Sequence, residues 1–255
     1  AGDDELLSVF SRFHFQVDET VNIVQYFCGS AFLLSNVADY ILKETVKLNL
    51  SFFQDLSKNT ILHSIKKIIH KKDSSSVSAS MWSGGKTVLS TFHSNLDEGS
   101  SQDDIHIVLA DSHQHIDLNN TLRHIGKRSR GNILLKGVLM ERSRLVFFGK
   151  ARVEKSASDS ESFLSDHILV LDKNARADSI PSMEIENNQV RAKHGASIGH
   201  QDEEQIFYLM SRGLSETEAK NLIVESFVSN YIEKFPLLKE LAYTFLSKKI
   251  SKAKD

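Results

Sequence analysis

The sequence predicts a mainly β protein: a β-solenoid followed by a small helical region. Three observations point there. From Phe13 to about Ser197, short runs of three to seven residues alternate apolar and polar, broken by Ser, Asn, Asp and Gly. Val146, Ile168 and Val190 recur 22 residues apart (168 − 146; 190 − 168), within the roughly 20 to 30 residues that one solenoid coil needs. After Gly199 the apolar period changes to three- and four-residue steps. Short strands and two prolines also suit a sandwich or a barrel; the spacing selects the solenoid. The expected division is a β core over residues 1–200 and a helical domain over 201–255.

Clear strand runs are Val88–Phe92, Asp104–Leu109, Leu145–Phe148 and His167–Leu171. Isolated polar residues such as Asn174 and Ser182 are expected at coil corners. Asn59–His70 reads two ways: Ile61, Ile65, Ile68 and Ile69 fall at helical steps, yet a β-branched run suits a strand equally well. Lys71–Ser80 reads as a loop. Asp202 with Gln205, and Ser215 with Glu218, have the spacing of capping boxes, and Gly213 supplies a left-handed stop between two helices. Pro236 is expected to open a third helix carrying Leu237, Leu238, Leu241 and Phe245.

Composition narrows the function. Lys plus Arg number 31 against 33 Asp plus Glu, so the chain has no global attraction to nucleic acid or anionic membrane. With no apolar run of about 18 residues and no basic-then-apolar leader, the chain reads as cytoplasmic. The single cysteine, Cys28, cannot form an internal disulfide, and in a reducing compartment the sequons at Asn49 and Asn119 carry no sugar. The start AGDD, without Met, reads as a trimmed fragment.

Several motifs have plain readings. Gly84-Gly85-Lys86-Thr87 ends like a phosphate loop, but Ser80 stands where the pattern needs glycine and no helix follows, so it is a glycine turn. Zinc would want three or four ligands held in a tetrahedron, and His106, His113, His115 and His124 read mainly as solvent-facing strand histidines, with an interface or supporting role as the alternative. No Gly-x-Ser-x-Gly elbow marks a hydrolase. A saccharide-active β-solenoid enzyme is left as a distant alternative.

Four segments in order, QHIDLNNTLRH (114–124), KGVLMERSRLVFFGKARV (136–153), IPSMEIENNQVRAKHGASIG (180–199) and DEEQIFYLMSRGLSETEAKNLIVESFV (202–228), resemble the SufB/SufD family of iron–sulfur cluster assembly proteins. The resemblance implies a right-handed parallel β-helix with a helical domain after it, and a non-enzymatic scaffold. It is closer to SufD. His194-Gly195 stands where SufB-like chains have His-Glu, and no cysteine lies in Ser165–Leu171, where they carry one. It also implies a SufB-like paralogue and a SufC-like ABC ATPase as partners; in isolation a homodimer through exposed strands is expected, because an open β-helix end leaves backbone donors and acceptors unpaired. His194 is the implied ligand to a transient iron–sulfur cluster shared with the partner, and Gly195 lets partner backbone or cofactor approach. Because clusters are usually held by about four ligands, mostly thiolates, one cysteine cannot retain a cluster alone. Phe207, Met210, Arg212, Leu214, Ala219 and Leu222 are the expected contacts to the ATPase. A SufB-like scaffold that carries nascent cluster itself is the alternative.

Overall fold

The computed structural model describes residues 5–16 and 19–251, so the opening Ala1–Asp4 falls outside it. The described chain runs through β1 (Leu6–Phe15), β2 (Thr20–Gly29), β3 (Leu33–Leu42), β4 (Lys47–Leu56), β5 (Ile61–His70), β6 (Ser75–Trp82), β7 (Thr87–Leu96), β8 (Ser101–Ala110), β9 (His115–His124), β10 (Arg130–Leu139), β11 (Arg144–Val153), β12 (Ser160–Val170), β13 (Arg176–Ile185) and β14 (Val190–His200). It ends in α1 (Glu203–Ser211), α2 (Glu216–Ile232) and α3 (Lys239–Ser251). Odd-numbered strands form one seven-stranded parallel sheet and even-numbered strands the other. Each coil therefore lays one strand in each sheet, and the predicted β-solenoid is what forms.

The coil is longer than the sequence spacing suggested. Ser75 pairs with Ser101 and Arg144 with Arg176, so a coil takes from 26 (101 − 75) to 32 (176 − 144) residues. Val146, Ile168 and Val190 do not stack: their partners are Asp178, Ile198 and Ser160. Two strands of about ten residues plus two corners exceed 22, and a period of two supplies many chance coincidences. Asn59–His70 contains strand β5, not a helix, and half of the expected loop Lys71–Ser80 is strand β6. Ser182 lies within β13, whereas Asn174 does sit at a corner.

Corners follow a shared rule. Thr45, Asp73, Gly99, Arg128 and Asp159 all adopt left-handed backbone, and each donates its N–H to a carbonyl of the next coil: Lys72, Glu98, Lys127, Ser158 and Gln189. Serines lock the same bends, with Ser74, Ser100 and Ser129 hydroxyls donating to the carbonyl three residues back at 2.7 to 3.0 Å. The Gly84-Gly85 turn is held likewise, the Gln54 side-chain oxygen accepting from the Ser83 and Gly84 amides at 3.0 Å. At Gly126 a β-carbon would lie 2.0 Å from the backbone nitrogen of Glu98. Gly126→Ala is expected to cost about 1–3 kcal/mol, read as a lowered urea midpoint.

Inward positions alternate cleanly, as in β12, where Leu164, Ile168 and Val170 face the lumen and Phe163 and Leu169 face out. On the central even-numbered strands the outer face is also covered. Phe53, Met81, Ile105, Ile107, Leu109 and Val138 pack against Val224, Val228, Ile232, Phe235, Phe245 and Leu246 of the helical region. This explains the unbroken apolar run in β8, because parallel strands buried on both faces need no polar side. Asp202 caps α1 through the amides of Glu204 and Gln205, Ser215 and Glu218 form the full capping box of α2, and Gly213 has φ +97°. Pro236 does not open α3. Leu238 takes φ +55° and the helix starts at Lys239.

The lumen holds a polar heart. Lys66 is buried with its ammonium 3.4 Å from the Phe52 ring centre, and burial brings its pKa down to about 7 against the opposing pull of Asp104. Asp104 accepts from Gln102 at 2.6 Å and from Asn120 at 3.2 Å, while burial pushes its carboxyl well up. His106 lies between the Trp82 indole nitrogen (3.4 Å) and the Asn120 amide (2.8 Å).

Candidate functional site

The last coil is where the solenoid stops being covered. β14 pairs with β12 on one side only, and from Lys193 to Gly199 every residue is exposed. His194 is in register with Leu164, whose side chain faces the lumen. The imidazole therefore stands over the end of the lumen, on the side where the next coil would stack. Ala196 and Ile198 continue this face, and Ser179 and Met183 of β13 line it from the other sheet, because β13 stacks on the inward alternation of β11.

Beneath it lies Asp166, an inward residue of β12 with no exposed surface. Its Oδ2 accepts from the Ser179 hydroxyl at 2.5 Å, and its Oδ1 is buried without a partner. Burial pushes the Asp166 carboxyl up; the Ser179 hydrogen bond and the fields of His167 and His194 pull the other way. His167 itself is on the outer face, its Nδ1 2.6 Å from the Ser197 hydroxyl. Gly195 also faces out, and a methyl group there would meet nothing within 4 Å. Nothing in the sequence distinguishes Asp166 from an outward strand carboxylate; only coil stacking reveals where it points.

Cys28 is exposed on β2, at the opposite end of the same sheet. Six strand spacings separate β2 from β14, which at about 4.8 Å each sets the strand of the thiol and the strand of the imidazole some 29 Å apart across the sheet. Among the described residues, no three His, Cys, Asp or Glu side chains come together as a metal-holding group. The four histidines expected to face solvent do not all do so: His106 and His124 are buried in the lumen, because each falls on the inward alternation of its strand, while His115 is half-buried and His113 is exposed at a corner.

The helical residues divide. Phe207 (72% exposed), Met210 and Leu222 present apolar surface, joined by Tyr208, and Arg212 is exposed beside them with its guanidinium over the Tyr208 ring. Leu214 is half-buried. Ala219 is fully buried, so it packs α2 inward and offers no outer contact. Next to this patch a groove is lined by Leu169, Leu209, Leu222, Ile223 and Phe227. Among the described residues no helix is long and apolar enough to cross a membrane.

Residues 3–227 match the family described as SUF system FeS cluster assembly, SufBD core domain. The iron–sulfur cluster assembly protein SufD of Bacillus subtilis (strain 168) is 31% identical over 140 residues, 55% of this chain and 32% of that protein. SufB of the same organism is 30% identical over 140 residues, 55% of this chain and 30% of that protein. The SufBD family protein Rv1462 of Mycobacterium tuberculosis (strain ATCC 25618 / H37Rv) is 27% identical over 228 residues, covering 86% of this chain and 57% of the relative. The matched segment thus spans between about a third and somewhat over half of these relatives. With residues 3–227 of the chain matched to the family's core domain, on a parallel β-solenoid whose last coil is uncovered, the chain belongs to the SufBD family of the SUF iron–sulfur cluster assembly system.

Proposed function

We propose that the chain is the SufD-like scaffold subunit of a cytosolic cluster-assembly complex, pairing with a SufB-like paralogue at the last coil and lending His194 to a transient cluster built between them. ATP chemistry belongs to a SufC-like partner and thiolate chemistry to the paralogue. The observation that carries this reading is the exposed imidazole on an uncovered terminal strand, about 29 Å across the sheet from the strand of the lone thiol. A strand edge with unpaired N–H and C=O groups is a template for another strand, which suits a pseudo-symmetric partner and, in isolation, a second copy. His194-Gly195 and the absence of cysteine in Ser165–Leu171 favour the SufD-like role over a SufB-like scaffold carrying cluster itself. The test is reconstitution of the full complex with His194→Ala: iron and sulfide content is expected to fall at least several-fold, and unchanged content removes the ligand role.

The ATPase contact is assigned to the exposed patch of α1 and α2, where Phe207, Met210, Arg212 and Leu222 face out and Leu214 lies at its margin. Replacing Phe207 and Met210 together by Asp is expected to abolish co-purification of the SufC-like partner while leaving the thermal unfolding of the chain unchanged. Retained co-purification would return these residues to a purely local role.

A further inference from the structure

We propose that Asp166 is the second donor of the His194 site, so that this chain presents an imidazole–carboxylate pair, a half-site for a divalent first-row cation of the iron class, to be completed by donors from across the interface. This rests on the reading that His194 faces a metal. Three observations carry it beyond that reading.

Both side chains lie on one face. Register pairs His194 with Leu164, and Asp166 follows two residues on along the same inward alternation. A diagonal pair on adjacent parallel strands sets the β-carbons about 8 Å apart, a gap that imidazole, cation and carboxylate can bridge only together. The residue directly over Asp166 is Ala196, so the carboxyl, which has no exposed surface, is overlain on β14 by a methyl group and must be uncovered for a cation to reach it.

Asp166 is also under-used. A buried carboxylate normally has both oxygens satisfied, yet Oδ1 has no partner and Oδ2 has one hydroxyl. A purely structural role would favour an apolar residue here, as at Leu164 and Ile168 on either side. Finally, the donor chemistry matches: imidazole nitrogen and carboxylate oxygen suit divalent iron, cobalt or zinc rather than soft monovalent copper. Ser179 then acts as a gate, holding the carboxylate while the site is empty and releasing it when a cation arrives.

The experiment is a titration of the isolated chain with Co²⁺, followed by calorimetry and by the visible d–d absorption of the ion. Asp166→Asn keeps the size and the hydroxyl contact but removes the anionic donor. It is expected to weaken Co²⁺ binding at least tenfold, as is His194→Ala, whereas Ser179→Ala, which frees the carboxylate, leaves binding equal or tighter. Should Asp166→Asn unfold, the Ser179→Ala result together with carboxylate infrared bands on Co²⁺ addition carries the test. If Asp166→Asn binds like the parent while His194→Ala does not, Asp166 is only a packing residue and the His194 reading stands. Binding indifferent to both substitutions, or no binding by the parent chain, overturns the half-site, and indifference to His194→Ala counts against the parent reading as well.

Discussion

Asp104→Asn is expected to cost about 3 kcal/mol, read as a fall in the urea midpoint, because it withdraws the carboxyl field that opposes the desolvation of buried Lys66. The loss has a second part. Gln102 and Asn120 both donate to Asp104, and an amide in its place must turn an N–H toward one of them. Removing both charges, in Lys66→Met with Asp104→Asn, is expected to recover most of the electrostatic part, so the double-mutant cycle shows coupling of about 2 kcal/mol or more. The pH dependence provides an independent check. Lys66 is depressed to about 7 in the folded chain, against about 10.4 unfolded. The unfolded state therefore binds more protons between those values, and stability rises with pH across them. Asp104 holds the Lys66 value up, so in Asp104→Asn the rise begins below pH 7. A profile identical to the parent's would show that the two groups do not sense each other.

Phe53→Ala is expected to cost about 3–5 kcal/mol and to loosen the helical region. Phe53 has no exposed surface, and its ring centre lies 5.8 Å from that of Phe235 and 5.7 Å from that of Phe245. It is thus a joint between solenoid and helices rather than part of the lumen. Hydrogen exchange should show α2 and α3 losing protection while β9 to β12 keep theirs. Under the proposed ATPase contact, loosening of α2 is expected to weaken capture of that partner in parallel. Uniform loss of protection along the chain would instead mean that helices and coils unfold as one unit.

How far the residues announced these features depends on what each position faces. Helix ends were legible because caps are local: Ser215 and Glu218 need only each other. Pro236 misled, since Leu238 in left-handed backbone delays α3 to Lys239. In β5 the inward set is Leu62, Ser64, Lys66, Ile68 and His70, so polar residues occupy lumen positions and isoleucines occupy both faces, which blurs the period of two. The serines of β6 read as loop for the same reason, although Ser76, Ser78 and Ser80 are buried lumen residues. Coil length was misjudged because corners vary in length. Of the proposed site, His194 is suggested by the resemblance alone, whereas Asp166 becomes visible only when β12 and β14 are laid side by side.

All strands running the same way has a consequence for assembly. Among the described residues the two ends of the tube are chemically unlike: Leu6 and Phe10 are exposed on β1, and Ile185, His194 and Ile198 are exposed on β13 and β14. Joining first mouth to last repeats without closure and grows a fibre, whereas joining last mouth to last closes after two subunits. Pairing through the last mouth, as proposed, is therefore self-limiting where first-to-last contact is not, and light scattering that climbs steadily with concentration would reveal the second kind of contact.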